Sequence, residues 1–353
     1  MGPYRRSRRS REHRSDEGND VDGPLSARSL LDTRRCIPHA GRVSTTIHVL
    51  YENPDWLPPL VEALDAEGLE CRLVEVWRGA IDTGSVPVDG IYLNRMSPSS
   101  HTRGHFESVD LMVEMLAWLE HHGRRVVNGS RAFAIEISKV CQDLVLRKHG
   151  ILTPRTVLVV GPDELVSAAD TFTGPFITKH NQGGKGLGIR LFESATELRS
   201  FLERGELEPG PRGQVVLQQY IRPREPFITR VELVDGRFLY AMRSDTTSGF
   251  ELCPSDACQV PAAAPDVCPA DGNAKFTRSP LSADDPLVQQ YLAMCRAESI
   301  EIAGIEFVED DQGRRYTYDI NANTNYNSAV GREAGIDGMT EVARYLGRIA
   351  AAR

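Results

Sequence analysis

The sequence predicts a mixed fold, with a parallel α/β domain first and an α+β part after it. Three observations support this. From Val43 onward, short apolar strands alternate with helices, which is typical of a parallel sheet. A strand ending at Lys179 then leads into a loop with four glycines in six residues. Near the carboxyl end, two strands that carry acidic residues flank a turn at 310–313 and predict a hairpin.

Composition and charge exclude several classes of protein. The 353 residues carry a net charge of −8, which argues against a general nucleic-acid-binding protein. No run of about 18 apolar residues occurs, so we expect no membrane span. Seven cysteines, an odd number with no apolar signal segment before them, favour a reducing cytoplasm over export.

The first two segments differ sharply in composition. Residues 1–42 are predicted to be a disordered basic tail, because ten arginines and six acids mix with serine and glycine. Residues 43–130 are predicted to form the parallel domain. Strands are expected at 45–51, 71–76, 90–93 and 125–128, and helices at 56–66 and 107–122. Arg95 follows one of these strands, where a substrate contact and a solvated loop are equal alternatives.

The remaining residues, 131–353, are predicted to form two lobes, 131–222 and 223–353. Helices are expected at 132–149, 194–203, 286–302 and 339–351, and strands at 176–179, 189–192, 215–221, 227–234, 237–242, 304–308 and 315–320. Asp235-Gly236 predicts a tight hairpin turn. Residues 244–280 are predicted to be a long loop or insertion. Its three cysteines lack the spacing of a zinc site, which favours free thiols at Cys253, Cys258 and Cys268.

The glycine-rich loop is the first candidate functional element. Its glycines leave backbone N–H groups free to approach phosphate oxygens, and two of the chain's five lysines lie beside them. A Walker loop is excluded because Gly186, and not Ser or Thr, follows Lys185. A dinucleotide fingerprint is excluded because residues 189–192 predict a strand where that motif opens a helix. A flexible flap over ATP remains, with a hairpin that binds no ligand as the alternative.

The acidic hairpin is the second candidate. Glu306 and Asp319 lie on its two strands, and Asn321 shares a face with Asp319 by the period of two. Two carboxylates and an amide oxygen suit Mg²⁺, and without a cation the two carboxylates would repel each other. The alternative is a polar strand pair facing solvent, which does not explain an acid, acid and amide match across both strands.

From about Val43 to Arg348 the chain resembles the ATP-grasp carboxylate–amine ligases, closest to their RimK-like group. The ordered set of matching segments carries the resemblance more than any one of them. They are 136–139, 150–156, the Lys179 loop, 218–221, Arg230, Arg243, Glu306 with Asp319 and Asn321, and 335–337. The resemblance implies an N-terminal parallel α/β pre-ATP-grasp domain followed by a two-lobed ATP-grasp domain.

The resemblance also implies roles for individual residues. The ATP phosphates would be held by Lys139 and Lys179. The flap at 182–188 would close over them through Gln182, Gly183, Gly184, Lys185, Gly186 and Gly188. The strand that holds adenine would contribute Gln218, Tyr220 and Ile221. Mg²⁺, or Mn²⁺ in its place, would be bound by Glu306, Asp319 and Asn321, and the catalytic arginines would be Arg230 and Arg243.

The implied activity is that of an ADP-forming carbon–nitrogen ligase, which phosphorylates a carboxylate with ATP and then joins it to an amine as an amide. The expected partner is an amino acid, a peptide or a protein C-terminus, with no membrane and no specific nucleic acid; a homo-oligomer is left open. An ATP-binding regulatory protein and a phosphotransferase are the alternatives. Residues 323–327 replace the Pro-Gly that many members have after Asn321, so the family's usual substrate is not carried over.

Overall fold

The computed structural model describes residues 34–35, 45–184, 189–208, 210–247 and 275–353. Several predicted features therefore lie outside the described residues: the tail apart from Arg34–Arg35, most of the predicted insertion, and Lys185, Gly186, Gly188, Cys253, Cys258 and Cys268. Within the described residues the strands form three sheets, one mostly parallel and two antiparallel. The mixed fold predicted from the sequence is confirmed.

The first sheet has the strand order β1-β3-β2-β4-β5. Its elements are β1 (Arg34–Arg35), β2 (Ile47–Tyr51), α1 (Pro58–Ala66), β3 (Cys71–Glu75), β4 (Ile91–Arg95), α2 (Ser108–His121) and β5 (Arg125–Val127). Strands β2 to β5 pair in parallel, as predicted, and β1 pairs antiparallel with β3. All five residues of β2 and of β4 are buried, as expected for central strands of a parallel sheet that is covered on both faces.

Two helices follow where the sequence predicted one. They are α3 (Ser130–Glu136) and α4 (Lys139–Lys148), and the chain between them is extended at Ser138. The Ser138 hydroxyl accepts a hydrogen bond from the N–H of Cys141 at 3.2 Å, so it caps α4. A serine that caps a new helix cannot also continue the preceding one, and the single helix predicted at 132–149 was wrong at this point. The break places Lys139 at the first position of α4.

The second sheet has the order β6-β9-β7-β8 and is antiparallel. Its elements are β6 (Thr156–Val160), α5 (Pro162–Ala169), β7 (Phe176–His180), β8 (Arg190–Phe192), α6 (Ala195–Glu203) and β9 (Gln214–Gln219). Ser194 caps α6 as predicted, accepting from the N–H of Glu197 at 3.3 Å. The predicted strands on both sides of the glycine-rich loop are confirmed as β7 and β8.

The third sheet, with the order β12-β11-β10-β13-β14, is antiparallel and carries the predicted acidic hairpin. Its elements are β10 (Phe227–Val234), β11 (Arg237–Asp245), β12 (Phe276–Arg278), α7 (Pro286–Ala297), β13 (Ile302–Glu309), β14 (Arg315–Asn321), α8 (Ser328–Ala334) and α9 (Gly338–Ala351). Asp235 and Gly236 have φ of 53° and 65°, the left-handed conformations that their hairpin turn requires.

The helices join the sheets into two shared cores. Helices α3 and α4 bury Ile135 and Leu146 against the third sheet. Helix α9 buries Leu346 in a core that also holds Leu60 of α1 and the first sheet. The lobe boundary predicted at 222 separates the second and third sheets, but the start of the predicted first lobe packs on the third sheet.

Candidate functional site

Two lysines, one from a helix and one from a strand, reach the same region of the molecule: Lys139 of α4 and Lys179 of β7. The Lys139 side chain is 8% exposed and its Nζ forms an ion pair with Oδ1 of Asp319 on β14. Lys179 lies on β7, and its Nζ donates a hydrogen bond to Oε1 of Gln218 on β9 at 2.9 Å. Lys139 therefore has an anionic partner, besides a longer hydrogen bond to Oε1 of Gln142 at 3.5 Å, whereas the partner of Lys179 is a neutral amide.

The hairpin of β13 and β14 brings the acidic residues together. Glu306 and Asp319 are partners in its register, so they share one face of the sheet. On the neighbouring strand, Arg230 is the register partner of Glu306 and donates from Nη1 to its Oε1 at 2.7 Å. Its Nε donates to Oε1 of Glu232 at 2.6 Å. Each acid of the pair is thus matched by a cation of the protein, Asp319 by Lys139 and Glu306 by Arg230.

These side chains line a cavity of about 380 Å³ between the second and third sheets. The predicted site residues that line it are Lys139, Lys179, Gly183, Gly184, Gln218, Tyr220, Ile221, Arg230, Glu306, Asp319 and Asn321. The first domain contributes Trp56 and the segment 97–99. Residues far apart in the sequence therefore converge on one enclosed volume.

Two predicted residues do not line this cavity. Gln182 donates from Nε2 to the carbonyl oxygen of Pro98 at 3.4 Å. Arg243 is the register partner of Thr229, one position out of step with Arg230, so it points to the opposite face of the sheet. There its guanidinium stacks on Phe227, 4.3 Å from the ring centre, and lines a second, smaller cavity. The structure does not bring Arg243 to the acidic pair.

Burial changes the titration of the groups around the cavity. Burial, together with the nearby charge of Lys139, lowers the pKa of Lys179 to about 7. Burial also raises the pKa of Glu306, against the opposing effect of Arg230. Burial alone would raise the pKa of Asp319, but Lys139 and Lys179 hold it below its ordinary value. Lys139 and Arg230 are each paired with an acid, whereas the hydrogen-bond partner of Lys179 is neutral. An anion that enters beside Lys179 would therefore favour its protonated form.

Sequence reasoning assigned no role to Glu136, and for Arg95 it left a substrate contact and a solvated loop as alternatives. Glu136, at the end of α3, lines the cavity, and its Oε1 accepts from the N–H of Asn323 at 2.9 Å. Arg95 is 6% exposed and donates to the Thr324 carbonyl oxygen and to Oδ1 of Asn325, each at 2.6 Å. It is therefore no part of a solvated loop. The sequence feature that could have pointed to these contacts is the segment 323–327, which replaces the Pro-Gly of many related ligases.

The donor atoms fit a divalent cation that also binds phosphate. Among the described residues no group of three or more His, Cys, Asp or Glu side chains could hold a metal ion on its own. Glu306, Asp319 and Asn321 supply two carboxylates and an amide, and Asn321 donates from Nδ2 to the Gly304 carbonyl oxygen at 3.3 Å. Its Oδ1 is then the atom left for a cation. Such an incomplete set of hard oxygen ligands is typical of Mg²⁺ bound partly by substrate phosphates.

No described helix combines the length and the apolar character that crossing a bilayer requires.

Comparison with known proteins identifies the domain around the cavity. A family model described as the RimK-like ATP-grasp domain matches residues 138–251. A probable alpha-L-glutamate ligase of Pseudomonas fluorescens is 26% identical over 219 residues, 58% of this chain and 68% of that protein. A phosphoribosylamine–glycine ligase of Thermotoga maritima is 30% identical over 106 residues, 29% of this chain and 26% of that protein. The match thus spans about a quarter of that relative.

The fold has solved relatives at low sequence identity. The ATP-grasp ligase PsnB, solved with a minimal precursor, superposes with a TM-score of 0.60 at 20% identity, covering 88% of this chain and 100% of that one. PsnB solved with a phosphomimetic variant of the precursor, Mg and ADP gives 0.59 at 20% identity, covering 86% and 98%. The resemblance predicted from the sequence is confirmed: residues 138–251 match the RimK-like ATP-grasp domain, and the chain shares the fold of solved ATP-grasp ligases.

Proposed function

We propose that the protein is an ATP- and Mg²⁺-dependent, ADP-forming ligase that joins a carboxylate to an amine through an acyl phosphate. One observation carries the proposal. Two buried lysines and a pair of acids matched by protein cations converge on a single cavity. A site built this way is suited to a triphosphate and a cation. The glutamate ligase and glycine ligase relatives support the carbon–nitrogen bond as the product.

The described residues act by position and charge. Lys139 and Lys179 would neutralise phosphate oxygens, and Arg230 would hold Glu306 in place and add positive charge near the transferred group. Mg²⁺, or Mn²⁺ in its place, would be held by Glu306, Asp319 and Asn321, and it supplies charge neutralisation for phosphoryl transfer. No side-chain nucleophile is required, because the substrate carboxylate attacks the γ-phosphoryl group itself.

The predicted adenine contacts and the predicted flap complete the proposal. Tyr220 and Ile221 line the cavity, and so do Gly183 and Gly184. We assign adenine to the first pair and phosphate cover to the second. The relative solved with Mg and ADP supports a nucleotide in this fold. An amino acid or peptide as partner, a cytoplasmic location and a homo-oligomer remain predictions.

The experiment measures ADP and phosphate release from Mg-ATP with the twenty protein amino acids and short peptides, each tested as acid, with and without hydroxylamine as amine. A ligase forms hydroxamate and ADP together. A regulatory protein releases no ADP, and a phosphotransferase releases ADP and forms a stable phosphorylated product without amide.

A pair of variants tests the site within the same assay. Asp319→Ala should lower hydroxamate formation on the order of 10²-fold, because it removes a ligand of the Mg²⁺ that would neutralise the transferred phosphoryl group. Asp311→Ala changes an exposed acid in the turn of the same hairpin and should leave the rate unchanged. Equal rates for the two variants would contradict the assignment of the metal-binding acids.

A further inference from the structure

One wall of the cavity is formed by the segment after β14 and by Glu136. Asn323 joins it to the first domain, because its Nδ2 donates to the carbonyl oxygens of Arg95 at 2.8 Å and Met96 at 3.1 Å. Two carbonyl partners can only accept, which decides the orientation of the amide. The Asn323 Oδ1 atom is buried and has no hydrogen-bond partner among the described residues. This wall therefore holds an acceptor that the described protein does not use.

Glu136 offers a carboxylate to the cavity. It is 4% exposed, and its Oε1 accepts the backbone N–H of Asn323 at 2.9 Å. Within the described part of the chain no hydrogen bond reaches its Oε2. The charged groups that act on it are Lys139 of α4, Asp319 of β14 and Arg95 of β4. A carboxyl with one oxygen held and the other free is suited to accept from an ammonium group.

Arg95 offers the opposite charge. Its two hydrogen bonds go to neutral oxygens, the Thr324 carbonyl and Oδ1 of Asn325, and its Nε has no partner among the described residues. Burial lowers its pKa to about 10, so it stays protonated at neutral pH. A buried cation without an anionic partner is costly, and an entering carboxylate would offset that cost. Because Arg95 holds Oδ1 of Asn325, the Nδ2 of this cavity-lining amide is left to donate to a ligand.

We propose that this wall binds the amine substrate as an α-amino acid, with its ammonium group on Glu136 and its carboxylate on Asn325, backed by Arg95. The inference rests on the proposed ligase function and names the substrate class of the same cavity. Asn323, which holds Glu136, and Asn325 are two residues apart, at most about 7 Å along the chain. An α-amino acid with a hydrogen bond at each end bridges such a distance.

Glu136 also has a chemical role in this arrangement. It takes one proton from the ammonium group, and the free amine attacks the carbonyl carbon of the acyl phosphate. The C–N bond forms, the bond from that carbon to the phosphate oxygen breaks, and the phosphate leaves with the electron pair. The second nitrogen proton goes to the departing phosphate, and the Glu136 proton returns to solvent. Atoms and charge balance without an oxidant or reductant.

The first test is calorimetric and needs no turnover. Full-length protein with saturating Mg²⁺ and a non-hydrolysable ATP analogue is titrated with each of the twenty protein amino acids, then with the α-amide and N-acetyl form of any that binds. We expect at least one free amino acid to bind and its N-acetyl form not to bind. Glu136→Gln keeps the acceptor for Asn323 but loses the charge, and should weaken binding about tenfold or more.

Asn325→Asp probes the other end without removing the Arg95 hydrogen bond, so it is suited to fold even if larger changes at Arg95 are not. It should weaken binding of the free amino acid about tenfold, because two carboxylates then oppose each other, and leave its α-amide within about twofold. Glu114→Gln, an exposed change on α2, is the matched control. Binding of no amino acid, or wild-type binding by both site variants, would overturn the inference.

The second test separates proton transfer from a structural role. Glu136→Gln should lose much less of its hydroxamate formation from the best acid and hydroxylamine than of its amide formation, since hydroxylamine is already unprotonated at neutral pH. Amide formation with the amino acid should fall on the order of 10²-fold at pH 7 and recover as the pH rises. The rate of the variant should then follow the titration of the amine alone, because the variant has no carboxyl group to accept the proton.

The outcomes distinguish the two proposals. Loss of both hydroxamate and amide formation in Glu136→Gln would make Glu136 structural and overturn its role. Failure of the wild-type protein to bind the ATP analogue would overturn the ligase proposal, and this inference with it. Analogue binding without amino-acid binding would overturn the inference alone.

Discussion

The affinity for ATP should depend on pH through a single lysine. Lys179 has a neutral hydrogen-bond partner, Gln218, and its pKa is lowered to about 7 by burial and by Lys139. A bound phosphate favours the protonated amine and raises that pKa. Binding is therefore strongest below pH 7 and weakens as the pH rises toward the pKa of the complex.

The size of the effect follows from the titration of the empty site. With a pKa of about 7, the protonated fraction of Lys179 falls from about nine-tenths at pH 6 to about one-tenth at pH 8. The affinity should fall about tenfold over this range, close to 1.4 kcal/mol. The same linkage requires proton uptake on binding, largest near pH 8.

The assay is calorimetry with a non-hydrolysable ATP analogue and saturating Mg²⁺ at pH 6, 7 and 8, in buffers of different ionisation enthalpy. Lys179→Met should bind weakly and lose the tenfold dependence. Lys148→Met alters a lysine whose side chain is 65% exposed, away from the cavity, and should behave as wild type. Titration of the analogue itself is common to all three proteins and cancels in the comparison.

The dependence on Lys179 is refuted if the affinities of the wild type and of Lys179→Met for the ATP analogue change with pH in the same way. Such a result would mean that Lys179 keeps its proton throughout, or that it does not meet the phosphates.

Three further predictions concern the arginines of the third sheet. Arg230→Met should lower the free energy of unfolding in urea by about 3–5 kcal/mol, because the Glu232 and Glu306 carboxylates lose their buried cation; a loss below about 1 kcal/mol would contradict it. Gly304→Ala should lower ADP formation with less loss of stability than Arg230→Met, because a Cβ at this position would lie 2.6 Å from Arg230 Nε and displace the guanidinium; unchanged activity would show that its position is unimportant. Arg243→Ala should leave ADP formation unchanged in the same assay, since Arg243 lies on the opposite face of the sheet; a large loss would restore a catalytic role.

The parts of the site that sequence reasoning predicted depend on local patterns. The tight Asp235-Gly236 turn, the strands around the glycine-rich loop and the acidic hairpin each follow from turn residues or from a period of two. These patterns act over a few residues, so the structure reproduces them with small shifts at their ends. The same limit explains the error at Ser138, where a capping serine inside an apolar helical pattern can either continue the helix or begin a new one.

The sequence by itself determined the mixed fold, the resemblance to the RimK-like ATP-grasp domain, and the two chemical elements of the cavity, because strand alternation, glycine spacing and hairpin register are properties of short segments. Only the tertiary structure decided which side chains share the cavity. A single residue of register separates Arg230, which faces Glu306, from Arg243, which faces away. The meeting of Arg95, Glu136 and Asn325 joins segments from three parts of the chain, and packing alone brings such distant segments together.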